Sequence, residues 1–132
     1  MYLPRVDRER RSAWAMRLDR ASDVIGVVTL AFGCALSAGG RPIAEALRLD
    51  PARGRAIGLA DLALGTALLA ARPRWPWMAV RAALNVLIAR EYRAELHRRS
   101  GADRVARFGV ISMRTLAVSD AAMAAALRAA GR

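Results

Sequence analysis

The feature that most constrains this chain is a stretch of seventeen residues, from Val24 to Gly40, in which no side chain is charged. The stretch is apolar on every side, whereas a surface helix of a soluble bundle keeps a polar face. A helix of about 20 residues crosses the roughly 30 Å hydrocarbon core of a bilayer. The stretch therefore predicts a membrane-spanning helix.

Three more apolar blocks follow, and each carries one or two charged residues. They run from Ala56 to Ala71, from Trp75 to Ala89 and from Phe108 to Leu127. A charge at the centre of a spanning helix costs roughly 2.5 to 3.5 kcal/mol, whereas each Leu or Val returns only about 0.3 to 0.6 kcal/mol. We therefore expect these blocks to insert only when they pack together with their charges turned inward.

We predict an all-α fold, a four-helix transmembrane bundle that occupies residues 1–132 as a single membrane domain. The spans are expected at about residues 24–40, 56–71, 75–92 and 106–127. Residues 1–23 contain six arginines and predict a basic amphipathic helix that lies on anionic lipid headgroups. A solvated helix with no membrane role fits the same residues.

Composition excludes several classes of protein. The chain is 55% hydrophobic, which excludes intrinsic disorder, and its formal net charge of +11 comes from arginine alone among the basic residues. The single cysteine, Cys34, excludes an internal disulfide framework, and the single histidine, His97, excludes a multi-histidine metal site. We therefore expect neither a metal nor another cofactor.

Aromatic residues lie beside arginines at the ends of the apolar blocks. Trp75 and Trp77 follow Arg72 and Arg74, and Trp14 and Tyr92 lie near other block ends. Tryptophan, tyrosine and arginine at such places are typical of anchors at a membrane interface. We predict Trp14, Trp75 and Trp77 as interface anchors, although so few aromatic residues could also fall near charges by chance.

The connections between blocks are short and marked by glycine and proline. Residues 39–42 end a helix, and a short interfacial helix is predicted at about 43–49, before the break at Asp50 and Pro51. Residues 72–76 allow only a tight connection, so the second and third blocks are expected to form an antiparallel hairpin. Residues 97–101 predict a polar loop.

An internal repeat relates the first two blocks. Residues 25–38 align without gaps onto residues 57–70, and each copy contains two glycines seven residues apart, namely Gly26 and Gly33, then Gly58 and Gly65. Each glycine pair lies on one helix face, so we predict that the two helices pack closely through these faces. The alternative is that glycine is simply common in membrane helices.

Four ionisable residues interrupt the apolar blocks. Asp61 shares a face with Gly58 and Gly65, and Arg81 lies one turn from Asn85. Arg114 and Asp120 are about 120° apart on the fourth helix, so they face different neighbours. We predict an ion pair between Asp61 and Arg81, and contacts of Asp120 and Arg114 with other helices.

The same residues are the candidates for chemistry, because an ionisable group in a membrane core is a functional candidate by default. Asp61 and Asp120 are candidate catalytic acids, and Arg81, Asn85 and Arg114 are candidate binding residues. The competing interpretation is a structural clamp in which arginine and aspartate neutralise each other. An aspartate held against arginine stays ionised, which suits a clamp better than a proton donor.

The stretch from Arg55 to Gly65, followed by residues 72–77, Arg81 and Asn85, resembles small four-span bacterial membrane proteins of uncharacterised function. The resemblance covers about a third of the chain. It implies a four-helix membrane domain in the bacterial cytoplasmic membrane. It implies no activity, ligand or catalytic residue.

The sequence favours a small multi-pass membrane protein that acts through helix contacts, as a homo-oligomer or an accessory subunit. Ten arginines flank the spans on each side, so orientation is undetermined and an antiparallel homodimer is possible. The alternatives are a membrane-embedded enzyme acting on a lipophilic small molecule and a transporter of a small solute or ion. A soluble protein that binds nucleic acid is disfavoured by the uncharged block, although the basic charge permits it.

Overall fold

The computed structural model describes residues 5–101 and 103–132, and in these ranges the chain forms five helices and no strand. The helices are α1 (Arg5–Ala38), α2 (Gly40–Ala46), α3 (Pro51–Ala70), α4 (Trp75–Arg98) and α5 (Arg104–Ala129). The predicted all-α class is therefore confirmed. Residues 1–4 of the predicted leader lie outside the described part of the chain.

Helix α1 runs without a break through the boundary predicted near residue 23. It joins the basic leader and the first apolar block into one helix of 34 residues. No glycine or proline occurs between residues 5 and 25, so nothing in the local sequence stops the helix. Residues 6–14 are all exposed, and this first part of α1 therefore projects beyond the rest of the fold.

The starts of three helices have clear chemical causes. Gly40, at the start of α2, has a φ of +60°, which an L side chain rarely adopts. The Asp50 carboxylate accepts hydrogen bonds of 3.1 and 3.2 Å from the backbone N–H groups two and three residues further on, which caps α3. Asp103 caps α5 by accepting from the Ala106 N–H at 3.0 Å.

Two boundaries differ from the sequence prediction. Helix α2 ends at Ala46, three residues before the predicted end of the interfacial helix. Helix α4 continues to Arg98, so His97 lies in its exposed last turn and not in the predicted loop. The sequence between Tyr92 and Arg98 contains no helix-breaking residue, and the helix stops only near Gly101.

Helices α1 and α3 pack antiparallel through the four glycines of the repeat. A Cβ atom on Gly33 would lie 2.7 Å from the backbone nitrogen of Leu62 and 2.8 Å from the carbonyl oxygen of Gly58. A Cβ atom on Gly65 would lie 2.9 Å from the carbonyl oxygen of Gly26. A side chain fits at none of these places, so the two backbones approach as closely as small residues permit.

Helices α4 and α5 form a second antiparallel pair. The ring of Tyr92 lies against Gly109, where a Cβ atom would come within 2.5 Å of the ring. Tyr92 is only 6% exposed. Its interpretation as an interfacial aromatic residue is therefore wrong, because the absence of a side chain at Gly109 lets the ring enter the core.

Two apolar clusters lie at opposite ends of the fold. We call these ends the α2 end, which also contains the start of α3 and the end of α4, and the Arg74 end, where α3 connects to α4. At the α2 end the buried cluster comprises Leu36, Ala44, Leu49, Ile88, Tyr92 and Ala106. At the Arg74 end it comprises Leu68, Met78, Ala124 and Leu127.

Helices α3 and α4 are antiparallel and joined by a short connection, but they do not pack along their length. Each packs mainly against another helix, α3 against α1 and α4 against α5. The space between them is a groove of about 590 Å³, which we call the α3–α4 groove. Its apolar walls are Ala56, Ile57, Ala60, Leu84, Leu87 and Ile88.

Two helices, α1 and α5, are long and apolar enough to cross a membrane. Helices α3 and α4 have 20 and 24 residues, and charged side chains interrupt their apolar sequences. Composition by itself therefore marks two of the four long helices as possible spans.

Gly33→Val is expected to destabilise the fold by about 1 to 3 kcal/mol, because the added side chain meets backbone atoms of α3 that cannot move aside. Ala31→Val, on the exposed side of the same helix, is the matched control and is expected to change stability much less. Thermal unfolding of both variants in detergent measures the difference. Equal melting temperatures for the two variants would contradict the close contact of α1 and α3.

Candidate functional site

Four polar side chains meet between the two apolar clusters, and we call them the buried polar cluster. The members come from three helices, and each is at most 9% exposed. They are Thr29 on α1, Arg81 and Asn85 on α4, and Asp120 on α5. The cluster therefore joins elements of both helix pairs.

Every member of the cluster has a hydrogen-bond partner. The Arg81 Nε donates to the Thr29 hydroxyl oxygen at 2.9 Å, and the Thr29 hydroxyl donates to the carbonyl oxygen of Ile25 at 2.7 Å. The Arg81 Nη1 forms an ion pair with Asp120. The Asn85 amide donates to the same Asp120 oxygen at 2.7 Å.

Arg81 is the centre of this arrangement, since it contacts α1 on one side and α5 on the other. Burying a lone charge is strongly unfavourable, whereas a buried pair with further hydrogen bonds is tolerated. Here one arginine and one aspartate neutralise each other, and the donors from Arg81 and Asn85 converge on one carboxylate oxygen. The cluster is therefore suited to hold helices in register.

Asp61 does not join the cluster. Its side chain is half-buried on α3, and within the described residues it has no hydrogen bond or ion pair, although the charge of Arg81 acts on it from a greater distance. The predicted Asp61–Arg81 ion pair is not formed. Arg81 instead faces α5, where it pairs with Asp120.

Arg114 is also apart from the other predicted binding residues. It is exposed on the outer side of α5, whereas Arg81 and Asn85 face inward from α4. Arg114 lines a surface groove between α4 and α5 together with Arg90 and Arg93. The candidate binding residues therefore belong to two different places.

The Arg74 end has its own polar contacts. Arg74 is 2% exposed, donates to the carbonyl oxygen of Asp19 at 2.6 Å and forms an ion pair with Asp23. The C-terminal Arg132 pairs with Asp19 at 2.8 Å. The sequence predicts a tight connection at residues 72–76, and no local signal in it indicates that α1 covers Arg74.

The predicted aromatic anchors lie toward this end. Trp14 is 45% exposed on the projecting part of α1, and Trp77 is 37% exposed. Trp75 is partly buried, with the Arg128 guanidinium 5.1 Å from its ring centroid. An arginine over an indole ring is a favourable cation–π contact, so Trp75 also helps attach the end of α5 to the start of α4.

The α2 end carries a network of ion pairs at the surface. Arg53 pairs with Glu91, and Arg48 pairs with Asp103 at 2.9 Å. Hydrogen bonds from the Ala106 N–H and from Arg48 lower the pKa of Asp103 below its ordinary value. The hydrogen bond from Arg99, with a length of 2.6 Å, lowers the pKa of Glu95 in the same way.

In the part of the chain that the structure describes, His, Cys, Asp and Glu side chains form no group of three that could hold a metal ion. Surface grooves occur at the α2 end, between α3 and α4, and between α4 and α5, and no member of the buried polar cluster lines any of these. The cluster is thus a closed contact and not the wall of one of these grooves.

Comparison with known protein families, with characterised proteins and with solved structures finds no match for this chain. The resemblance to four-span bacterial membrane proteins therefore stays a prediction.

Asp120→Asn is expected to destabilise the fold by about 3 kcal/mol, because it leaves the Arg81 charge buried without a counter-ion. Asp61→Asn removes the same charge from a side chain that has no ion pair, and it is expected to change stability by less than about 1 kcal/mol. Thermal unfolding in detergent measures the loss of stability in each of the two variants.

The double variant Arg81→Met/Asp120→Leu serves as the second control. It removes both charges together and is expected to recover much of the stability lost in Asp120→Asn. A larger loss of stability in Asp61→Asn than in Asp120→Asn would show that Asp61, and not Asp120, neutralises Arg81.

Proposed function

We propose that this chain is a multi-pass integral membrane protein of the bacterial cytoplasmic membrane and that it acts through helix contacts. The observation that carries the proposal is an inverted distribution of polarity. Charged and polar residues are buried where the helices meet, whereas large apolar side chains point outward on every long helix. The outward residues include Val24, Val27, Val28, Phe32, Leu59, Val80, Val86, Leu87, Phe108, Ile111, Leu116 and Val118.

Helices α1 and α5 support this proposal by their low burial. Only 28% and 22% of the residues in their most apolar stretches are buried inside the fold. An apolar helix in the core of a soluble protein is mostly buried, because water would otherwise contact it. A lipid environment accounts for apolar faces of this size without a missing protein partner.

The positions of the charged networks provide a second argument. Arg74 marks one end of the fold, and the Arg53–Glu91 pair marks the other. The distance from residue 74 to residue 91 along α4 is about 25 Å at 1.5 Å per residue. A bilayer core is about 30 Å thick, so both networks would lie near lipid headgroups when the helices cross it.

We extend the proposal to four crossings by α1, α3, α4 and α5. Helices of 20 and 24 residues, such as α3 and α4, reach about 30 and 36 Å. Their interior charges are acceptable in lipid if they stay inside the fold, as Arg81 does through its pair with Asp120. Asp61 is half-buried beside the glycine contact of α1 and α3.

We propose that the chain acts by forming a contact with a second copy of itself. Small residues favour close packing of membrane helices, and the α3–α4 groove contains Ala56 and Ala60 among apolar neighbours. The equal number of arginines on the two sides of the spans allows opposite orientations of two copies. A membrane enzyme or transporter receives less support, because the buried polar cluster is satisfied by its own hydrogen bonds.

The native Cys34 tests the membrane location directly. It is exposed on α1, about 16 Å from Asp23 along the helix, and in lipid it would be surrounded by hydrocarbon. We expect a charged maleimide to leave Cys34 unmodified in membranes and to modify it after denaturation. Mass spectrometry measures the modified fraction.

The controls are Ser12→Cys and Ser100→Cys, each in a Cys34→Ser background, because both serines are exposed at opposite ends of the fold. We expect the reagent to reach these two cysteines from opposite sides of sealed vesicles. Fast modification of Cys34 in unopened membranes, or release of the chain by an alkaline wash, would overturn the membrane proposal.

Ala60→Phe tests the contact with a second copy. The larger side chain fills the α3–α4 groove and is expected to weaken the contact by about 1.4 kcal/mol or more. Because 1.4 kcal/mol corresponds to a tenfold change in an equilibrium constant, cross-linking in membranes is expected to yield at least about tenfold less dimer. Ala63→Phe, on an exposed part of α3, is the matched control. Equal dimer formation in the two variants would contradict the assigned contact.

A further inference from the structure

The groove on the outer side of α4 and α5 combines a positive end with an apolar end. It has a volume of about 330 Å³, and three of its lining residues are Arg90, Arg93 and Arg114. We call it the arginine groove. Its other walls are apolar, namely Val86, Ala89, Val110, Ala117 and Val118.

No acidic residue lines the arginine groove. Within residues 5–101 and 103–132, none of its three arginines has an ion pair or a hydrogen bond. Arginines elsewhere at this end of the fold, such as Arg48 and Arg53, are paired with acids. The groove therefore carries a concentrated positive charge for which the described chain supplies no counter-ion.

Among the three arginines, Arg114 gives the strongest reason to expect an external anion. It lies about 15 Å along α5 from Arg104, at the start of that helix, and the apolar Ile111 and Val118 are exposed about one turn to either side of it. A charged side chain at this depth in lipid is unfavourable unless it reaches a partner or the headgroup layer. Arg90 and Arg93 lie nearer the α2 end of the same groove, so all three guanidinium groups can approach one anion there.

The apolar part of the groove continues toward the centre of the fold. Val86 lies one turn deeper on α4 than Arg90, and Val118 lies one turn deeper on α5 than Arg114. A ligand that fits must therefore have an anionic group at the headgroup level and a hydrocarbon part below it. Phosphate suits the anionic group, because guanidinium donors match phosphate oxygens in pairs.

We propose that the arginine groove binds an anionic phospholipid, with its phosphate held by Arg90, Arg93 and Arg114 and an acyl chain lying along Val86 and Val118. This inference rests on the proposed membrane location. A zwitterionic lipid carries its own cation beside the phosphate, and three arginines without an acid favour a lipid with a net negative charge. Basic sites between membrane helices recognise anionic headgroups by this chemistry.

The test is a lipid titration of the full chain in neutral detergent, followed by native mass spectrometry. The probes are phosphatidylglycerol, phosphatidylcholine and inorganic phosphate. We expect wild-type protein to bind phosphatidylglycerol in preference to phosphatidylcholine. Arg90→Gln/Arg114→Gln is expected to weaken phosphatidylglycerol binding about 25-fold, since each arginine near an anionic surface contributes roughly a fivefold factor.

The matched control is Arg55→Gln/Arg104→Gln, which removes the same charge from two exposed arginines at the same end of the fold. We expect it to bind phosphatidylglycerol nearly as wild type does. A second variant, Val86→Trp, keeps all three arginines and fills the apolar part of the groove. It is expected to weaken lipid binding, and it keeps the inference testable if the arginine variant fails to fold.

Three results would overturn the inference. The first is an equal loss of binding in the two arginine variants, and the second is equal binding of the two lipids by wild-type protein. The third is displacement of the lipid by millimolar inorganic phosphate, which would indicate a site for a free anion. If one of these results occurs while Cys34 is protected from the maleimide in membranes, only the proposed lipid site is wrong. If Cys34 reacts with the maleimide in membranes, the proposed membrane location itself is wrong.

Discussion

A guanidinium group that stays charged lies in the middle of this protein, and the arrangement of the helices depends on how it is neutralised. Arginine does not lose its proton under ordinary conditions, so Arg81 requires an anion and hydrogen-bond acceptors wherever it is buried. Asp120 supplies the anion from α5, and Thr29 supplies an acceptor from α1. Because α1 belongs to one helix pair and α5 to the other, these contacts of Arg81 link the two pairs.

Close backbone contact explains why each pair forms. Glycines occupy the contact of α1 with α3, and Gly109 admits the Tyr92 ring between α4 and α5. Small residues, polar groups and two apolar clusters thus make up the interior, whereas many large apolar side chains remain outside. In water such a surface would be strongly unfavourable, because the hydrophobic effect drives apolar side chains inward. In lipid that driving force is absent, and close packing together with hydrogen bonding is what joins helices.

The ion pairs between the residues discussed above fall into three groups by depth. Ion pairs at the α2 end and at the Arg74 end lie about one bilayer thickness apart, and the Arg81–Asp120 pair lies between them. The arginine groove differs from all three because its arginines form no ion pair within the described residues. An internal anion neutralises the buried arginine, and a lipid phosphate would do the same for the arginines that face outward.

Much of the helical framework follows from local sequence. The apolar blocks predicted the four long helices, and most of the predicted ends lie within a few residues of the observed ones. Asp50 and Asp103 occupy the capping positions that short polar residues favour. The boundary predicted near residue 23 is wrong, because a helix continues where neither glycine nor proline stops it. A change from basic to apolar residues does not interrupt the backbone hydrogen bonds.

The partners of the interior polar groups did not follow from the sequence. Spacing along the chain allows Arg81 to meet either Asp61 or Asp120, and it leaves Arg74 and Tyr92 equally able to face the surface or the core. The sequence by itself determined an all-helical chain with an apolar character, four interrupting charges and a repeated glycine face. Only the tertiary structure decided which faces meet, because the rotation of a helix about its axis is set by steric fit against residues far away in the sequence.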